Sequence, residues 1–139
     1  IGDAMSTLKA DTIVASDGTS PVTLTKQSAA KQWTNINGGS GTPVVRDSFN
    51  NSSLTDNGTG DYTLALTNSM DNANYGIQTT GSDTDTGAPS VFNRKLTLNT
   101  AASAPTASQY RVASGYNYYT GSNFIDNPYN FTEVHGDLA

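Results

Sequence analysis

A hairpin is predicted most clearly by DNGTGDYTLAL, residues 56–66. Tyr62, Leu64 and Leu66 alternate with Thr63 and Ala65, which is the period of a strand with one buried face. The Asn-Gly pair at the start of the stretch tolerates the positive φ that tight hairpin turns need. The stretch therefore predicts a turn over residues 56–61 and a strand whose tyrosine and leucines face a core.

Further strands are predicted on both sides of this hairpin. They are expected at Val44–Phe49, at Asn74–Thr80, from Phe92 to Leu98, and in a closing segment from Asn127 to Ala139. Turns separate them at spacings of roughly 8 to 12 residues, as in sandwiches and barrels. The predicted fold class is all-β: an antiparallel, jelly-roll-like β-sandwich, with a partly closed barrel or another sandwich topology left open.

The residues before the predicted body are expected to form a thin N-terminal arm. The arm covers residues 1–34 and the β-sandwich body covers residues 35–139. One short helix is predicted over Thr25–Trp33, because good helix formers follow a possible Thr25 cap. Residues 1–4 resemble neither a leader nor a strand, so we expect them to be an addition and the natural chain to begin at Met5.

Composition excludes several classes of protein. The chain has 139 residues, which suits one domain, and it has no Cys for disulfides or thiolate chemistry. Only 7 Lys and Arg are present and the net charge is -5, so nucleic acid is not an expected partner. No apolar run approaches the ~18 residues of a spanning helix, so membrane insertion is not expected either.

Catalytic and metal-binding patterns are weak. His135 is the single His and Glu133 the single Glu, and no Gly-x-Ser-x-Gly motif is present. Asp83–Gly87 and Asp56–Asp61 have the oxygen-rich content of calcium loops, but turns demand the same residues and the later bidentate Glu is missing. The sequence therefore predicts a protein that is not an enzyme and has no catalytic residue, metal or cofactor.

One local concentration of tyrosine and asparagine stands out near residue 118. Exposed tyrosine beside amides suits reversible recognition of sugars or proteins, because its flat ring and hydroxyl are held at small entropic cost. The alternative is that these tyrosines pack within the sheet or at a trimer axis. The candidate ligand-binding residues are Tyr116, Asn117, Tyr118, Tyr119 and Asn123.

Several stretches of the chain resemble small tail-fibre-type structural proteins of bacteriophages, especially marine ones. They lie at both ends of the chain and around the predicted hairpin, and no such likeness extends over the region from Gln78 to Asn127. The matching stretches are Met5–Ile13, Gly18–Lys31, Trp33, Arg46–Asn50, Ser53–Thr63, Met70, Asn72–Tyr75 and His135–Ala139.

The resemblance implies a virion structural protein, placed in the tail or a surface appendage. Such proteins are usually homotrimers with a β-rich body that contacts the host, so the expected function is adhesion to a host surface glycan or protein through the distal loops of a trimer. The expected partners are further copies of the chain, other virion proteins and this host component. The alternative is a purely structural virion adaptor or capsid-decorating fibre that has no host ligand.

Overall fold

A computed structural model describes residues 29–39, 41–82, 93–118 and 121–139, together with Gly18. These residues contain nine β-strands and no helix. The strands are β1 (Gln32–Asn37), β2 (Val44–Phe49), β3 (Asn51–Asp56), β4 (Asp61–Leu66), β5 (Gly76–Gly81), β6 (Asn93–Leu98), β7 (Gln109–Tyr118), β8 (Gly121–Phe124) and β9 (Asn130–His135).

The strands form two antiparallel sheets. The first sheet has the order β2-β1-β9-β5, and the second has the order β3-β4-β7-β6 with β8 paired to β7. At one margin the sheets meet, where Thr79 Oγ1 donates a hydrogen bond to the Leu96 carbonyl over 2.6 Å. The predicted all-β, antiparallel class is confirmed.

The predicted hairpin joins β3 to β4. Its turn is closed by the amide of Asn57, which donates to the carbonyl of Asp61 over 2.9 Å. The carboxylate of Asp56 accepts the Gly58 amide over 2.9 Å, so this acidic side chain serves the turn itself. Tyr62 and Leu64 are fully buried, as the alternation predicts. The turn interpretation of residues 56–61 thus holds.

A hydrophobic core lies between the sheets, and most of its residues come from the second one. Strands β4, β6 and β7 supply six of the nine buried apolar side chains, since their alternation places Tyr and Leu or Val inward. The core consists of Ile36, Tyr62, Leu64, Leu66, Met70, Leu96, Tyr110, Val112 and Val134.

The first sheet turns polar side chains toward this core. Gln32 and Thr34 of β1 are buried, as is Thr132 of β9. The hydroxyl of Tyr110 donates to Gln32 Oε1 over 2.8 Å and lies 2.8 Å from the hydroxyl of Thr132. Gln32 also donates through Nε2 to Thr34 Oγ1. Burial of polar groups is tolerated when they are hydrogen-bonded in this way.

A second group of buried polar side chains lies at the other end of the interior. Asn127 Nδ2 donates to Ser114 Oγ over 2.8 Å, and Asn130 Nδ2 donates to the Asn127 carbonyl over 2.7 Å. Arg94 donates to Asn127 Oδ1 over 3.1 Å. These bonds fix the loop that leads from β8 into β9.

The described end of the predicted short helix is not helical. Residues 29–31 are irregular, and Gln32 and Trp33 begin β1. Strand β1 is hydrogen-bonded to β2 on one side and β9 on the other, and this pairing overrides the local helix propensity. β1 also runs across the expected arm-body boundary after residue 34. The rest of the helix and of the arm, apart from Gly18, lies outside the described residues, as does the Asp83–Gly87 loop.

Candidate binding surfaces

The outer side of the first sheet carries three exposed aromatic side chains. Trp33 of β1 is 38% exposed, Phe131 of β9 is 43% exposed and Phe49 of β2 is 53% exposed. Trp33 and Phe131 lie outward because their neighbours Gln32, Thr34 and Thr132 face inward, and Phe49 pairs directly with Trp33 on the same side. We call this surface the aromatic face; it comprises Trp33, Phe49, Phe131, Asn35, Asp47, Gln78, Thr80 and Glu133.

The register of the four strands arranges these residues in two rows across the sheet. In each row, directly paired residues share a face and have Cβ atoms about 5 Å apart. Aromatic residues therefore alternate with polar ones along β1, β2 and β9, and across the sheet Phe49 lies directly beside Trp33. The first row reads Phe49, Trp33, Glu133, Gln78, and the second reads Asp47, Asn35, Phe131, Thr80.

A shallow depression lies between β1, β9 and β5 on this face. Its volume is about 160 Å³. We call it the Trp33 pocket; it is lined by Trp33, Thr34, Gln78, Thr80, Phe131, Thr132 and Glu133. Aromatic surface and hydrogen-bonding groups thus converge on one small concavity, which is the usual composition of a ligand site.

The polar side chains of the pocket differ in how they are held. Glu133 Oε1 lies 2.9 Å from Nε2 of His135, which fixes the carboxylate beside the Trp33 ring. The carboxamide of Gln78 is exposed and makes no hydrogen bond among the residues that the structure describes. It therefore offers both a donor and an acceptor to a ligand.

An arginine closes one end of the aromatic face. Arg46 lies at a bulge in β2, where the register shifts between Asn35 and Ile36 of the partner strand. Its guanidinium carbon is 4.2 Å from the centre of the Tyr129 ring, a cation–π contact, and it donates to the Pro128 carbonyl. Arg46 is thereby bound to the start of β9.

The predicted tyrosine and asparagine site falls on the hairpin of β7 and β8. Tyr116 pairs with Asn123 across this hairpin. Tyr116 is half-buried, on the same side of β7 as Ser114, and Asn123 is exposed. Both border a groove of about 240 Å³, the β8 groove, which is lined by Lys95, Thr97, Ala113, Ser114, Gly115, Tyr116, Asn123 and Phe124.

The other three predicted site residues are placed less fully. The backbones of Asn117 and Tyr118 pair with Ser122 and Gly121 in the same hairpin. Tyr119 lies outside the described residues. The structure thus brings Tyr116 and Asn123 together, and the exposed Phe124 follows Asn123 in β8 and pairs with Gly115.

Sequence reasoning missed the aromatic face. The sequence pattern predicts a helix at Trp33, and the alternation in β9 does not indicate which of its sides is buried. A signal was present, since Phe131 and Glu133 have the opposite parity to Asn130, Thr132 and Val134. Among the buried residues of β9, only Val134 is apolar, so hydrophobicity alone would place Phe131 on the buried side of the strand.

The only His, His135, pairs with the only Glu, Glu133, at a partly exposed position. Within the described ranges no cluster of His, Asp and Glu could hold a metal ion, and no helix could span a lipid bilayer.

Comparison with protein families, with curated proteins and with solved structures found no match.

Proposed function

We propose that this chain is a non-enzymatic adhesion protein of a bacteriophage virion, of the tail-fibre type, built as a homotrimer of antiparallel β-sandwiches. In this proposal it contacts a host surface component through the aromatic face. The observation that carries the proposal is the outward position of Trp33 and Phe131 on adjacent strands, while the neighbouring Gln32, Thr34 and Thr132 are polar and buried. The phage assignment comes from the sequence resemblance.

The outward aromatics are supported by the whole register of the first sheet. A shift of one residue in β1 or β9 would turn Trp33 or Phe131 into the core, because strand side chains alternate with period two. The observed register instead buries Gln32 and Thr132, which the Tyr110 hydroxyl satisfies with hydrogen bonds. The fold therefore leaves two large apolar side chains, Trp33 and Phe131, exposed to solvent. Exposed aromatic patches of this kind mark interaction sites.

Three copies on one axis would make a shallow site effective. A depression of about 160 Å³ that is open to solvent offers few contacts to any one ligand. Linked sites that engage one surface together gain avidity well above the affinity of each. A trimer therefore suits a protein that must hold to a cell through weak individual contacts.

The β8 groove is a second candidate for adhesion, as the sequence predicts. It offers the exposed Asn123 and Phe124 beside the half-buried Tyr116. The aromatic face is favoured because it presents three exposed aromatic rings in a fixed register, whereas the described part of the groove presents one. The two surfaces lie on different sheets, so substitutions can separate them.

Cell binding by the purified chain tests the proposal. Fluorescently labelled protein is applied to a panel of bacterial isolates, and antibodies to the chain are used to label particles of the phage that encodes it. We expect some isolates to bind the protein, and gold label on a tail or surface appendage. Trp33→Ala combined with Phe131→Ala should abolish cell binding, while the matched control Phe124→Ala, which removes an exposed ring from the other sheet, should retain it.

The remaining outcomes distinguish the alternatives. If antibodies label the phage particles but the purified protein binds none of the isolates, the adhesion proposal is wrong and the structural adaptor role takes its place. Loss of binding in Phe124→Ala but not in the Trp33 and Phe131 variant would move the site to the β8 groove. Unlabelled particles would overturn the virion assignment.

A further inference from the structure

We propose that the Trp33 pocket binds a neutral sugar residue of a hydroxyl-rich glycan. This inference rests on the proposed adhesion function and names the class of its ligand. It is carried by the combination of aromatic rings, a carboxamide without a hydrogen-bond partner among the described residues, and a carboxylate that contacts His135, around one small depression.

The aromatic rings suit one side of a sugar. The faces of Trp and Phe rings carry partial negative charge, which attracts the slightly positive hydrogens of C–H groups. A pyranose ring presents several such hydrogens together on its flatter side. Trp33 and Phe131 are diagonal neighbours across β1 and β9, at about 7 Å, and both border the pocket. They provide the apolar platform on which one sugar ring can lie.

The polar groups suit the rim of the same sugar. Adjacent hydroxyls on a sugar ring each donate one hydrogen bond and accept others, and a carboxylate accepts two such donors side by side. Glu133 and Gln78 are paired directly across β9 and β5, so their polar ends stand together at the rim. Gln78 supplies a donor as well as an acceptor, and Thr80 adds a hydroxyl on the neighbouring row. This set matches a diol better than it matches an apolar peptide.

Charge on the face selects between ligand classes. The two rows of the aromatic face contain the carboxylates of Asp47 and Glu133 and no Lys or Arg. Arg46 lies at the end of the face, where Tyr129 and the Pro128 carbonyl hold its guanidinium. An anionic polysaccharide would bring further negative charge to these carboxylates, so a neutral glycan is the complementary choice. Protein interfaces, in turn, are depleted of charged residues at their centres, whereas Glu133 lies beside Trp33 in the middle of this sheet.

The size of the pocket sets the length of glycan that it holds. The pocket is small, about 160 Å³, and open to solvent on one side. This accommodates one sugar ring rather than a folded segment of protein. Phe49 lies next to Trp33 in the first row and extends the platform for a second ring of the same glycan.

Trp33 is the only tryptophan in the chain, so its fluorescence reports directly on the pocket. The whole chain is titrated with maltohexaose, cellohexaose, mannohexaose and chitohexaose as neutral probes, and with oligogalacturonate as the anionic probe. We expect a saturable change in Trp33 emission with at least one neutral probe and none with oligogalacturonate. Calorimetry with the same probe should give the same dissociation constant.

Substitution of the polar rim tests the assignment further. Gln78→Ala removes the exposed carboxamide and should weaken binding of the responding probe about tenfold, the effect of one or two hydrogen bonds. The matched control is Gln109→Ala, which removes an exposed glutamine from the second sheet and should leave the dissociation constant unchanged. Equal effects of the two substitutions would overturn the placement of the site.

Periodate treatment of cells separates this inference from the adhesion proposal, because periodate cleaves the adjacent hydroxyls of sugars. Loss of binding to treated cells, with binding retained after protease treatment, would support a glycan. If protease alone abolishes binding and no neutral probe changes Trp33 emission, the glycan inference falls while adhesion stands. If a neutral probe binds but no isolate does, adhesion falls and the sugar site stands.

Discussion

The hydroxyl of Tyr110 donates a hydrogen bond to Oε1 of Gln32 over 2.8 Å, and this bond joins the middle of the second sheet to the middle of the first. The two residues are far apart in the chain and both are fully buried. Gln32 directly precedes Trp33, so the bond that holds Gln32 inward also holds Trp33 outward. The position of the candidate site thus depends on an interior contact.

Tyr110→Phe should lower the free energy of unfolding by about 1–3 kcal/mol, because Gln32 and Thr132 would each lose a buried partner. Urea denaturation measures the change. Tyr75→Phe is the matched control, since the Tyr75 hydroxyl donates to the Thr106 carbonyl and Tyr75 is only partly buried. An equal loss in the two variants would show that the buried network adds nothing beyond an ordinary hydrogen bond.

Gly60→Ala should destabilise the chain by about 3 kcal/mol. Gly60 has a φ of 64°, and a Cβ there would press on the Ser114 carbonyl and stand 2.7 Å from the Ile125 amide nitrogen. Gly41→Ala tests the backbone term alone, because Gly41 has a φ of 82° and open space around it. That control should cost about 1 kcal/mol. Similar losses in both variants would contradict the predicted crowding at Gly60.

Stability should fall steeply as the pH rises above about 10, the ordinary pKa of tyrosine. Burial raises the pKa of Tyr62 and Tyr110 well above that value and raises the pKa of Tyr75 to about 12. Above pH ~10 the unfolded chain loses phenolic protons that the folded chain retains, so unfolding is favoured. Each such tyrosine contributes a slope of about -1.4 kcal/mol per pH unit.

Urea denaturation at a series of pH values from about 9 to 12, which spans the ordinary tyrosine pKa of about 10, measures how the free energy of unfolding depends on pH. Phenolate absorbance is a second readout, because it reports tyrosine ionisation directly. Tyr62→Phe should make the fall in the free energy of unfolding with pH less steep, by the contribution of one tyrosine. A free energy of unfolding that stays level through this range would mean that Tyr62 and Tyr110 ionise in the folded protein.

Trp33→Ala and Phe131→Ala should each cost about 1 kcal/mol or less, because exposed side chains lose only cross-strand contacts. Leu64→Ala, at a fully buried position, should cost about 2–5 kcal/mol. Urea denaturation of the three variants makes the comparison. If Trp33→Ala proved as costly as Leu64→Ala, Trp33 would be a structural residue and not a binding one.

Light scattering after size exclusion, repeated over a dilution series, tests the trimer. We expect a mass three times the chain's 14.5 kDa that does not change with concentration. A stable monomer would remove the avidity on which the adhesion proposal relies.

The sequence predicted those strands whose signal is local. Val44–Phe49 has the same bounds in the prediction and in the structure, and the turn at residues 56–61 follows from its own Asn-Gly pair. Strand β1 was missed because its extended form depends on pairing with β2 and β9. The strand order was not predicted because turn spacing does not determine which strands become neighbours.

The candidate site shows the same division. Tyr116 and Asn123 meet in one hairpin, so a concentration of residues in the sequence indicated their proximity. The aromatic face gathers residues from β1, β2, β5 and β9, and its outward side is set by Tyr110 from the other sheet. No short stretch of the chain contains that information.

The alternation of acids with aromatics on the first sheet also bears on solubility. An exposed row of rings without charges would adhere to the same row on another copy, and such contacts between identical surfaces lead to aggregates. Asp47 and Glu133 bring like charges together whenever two of these surfaces approach each other face to face. Repulsion between these carboxylates therefore opposes self-association through the aromatic face, even though the face exposes three aromatic rings.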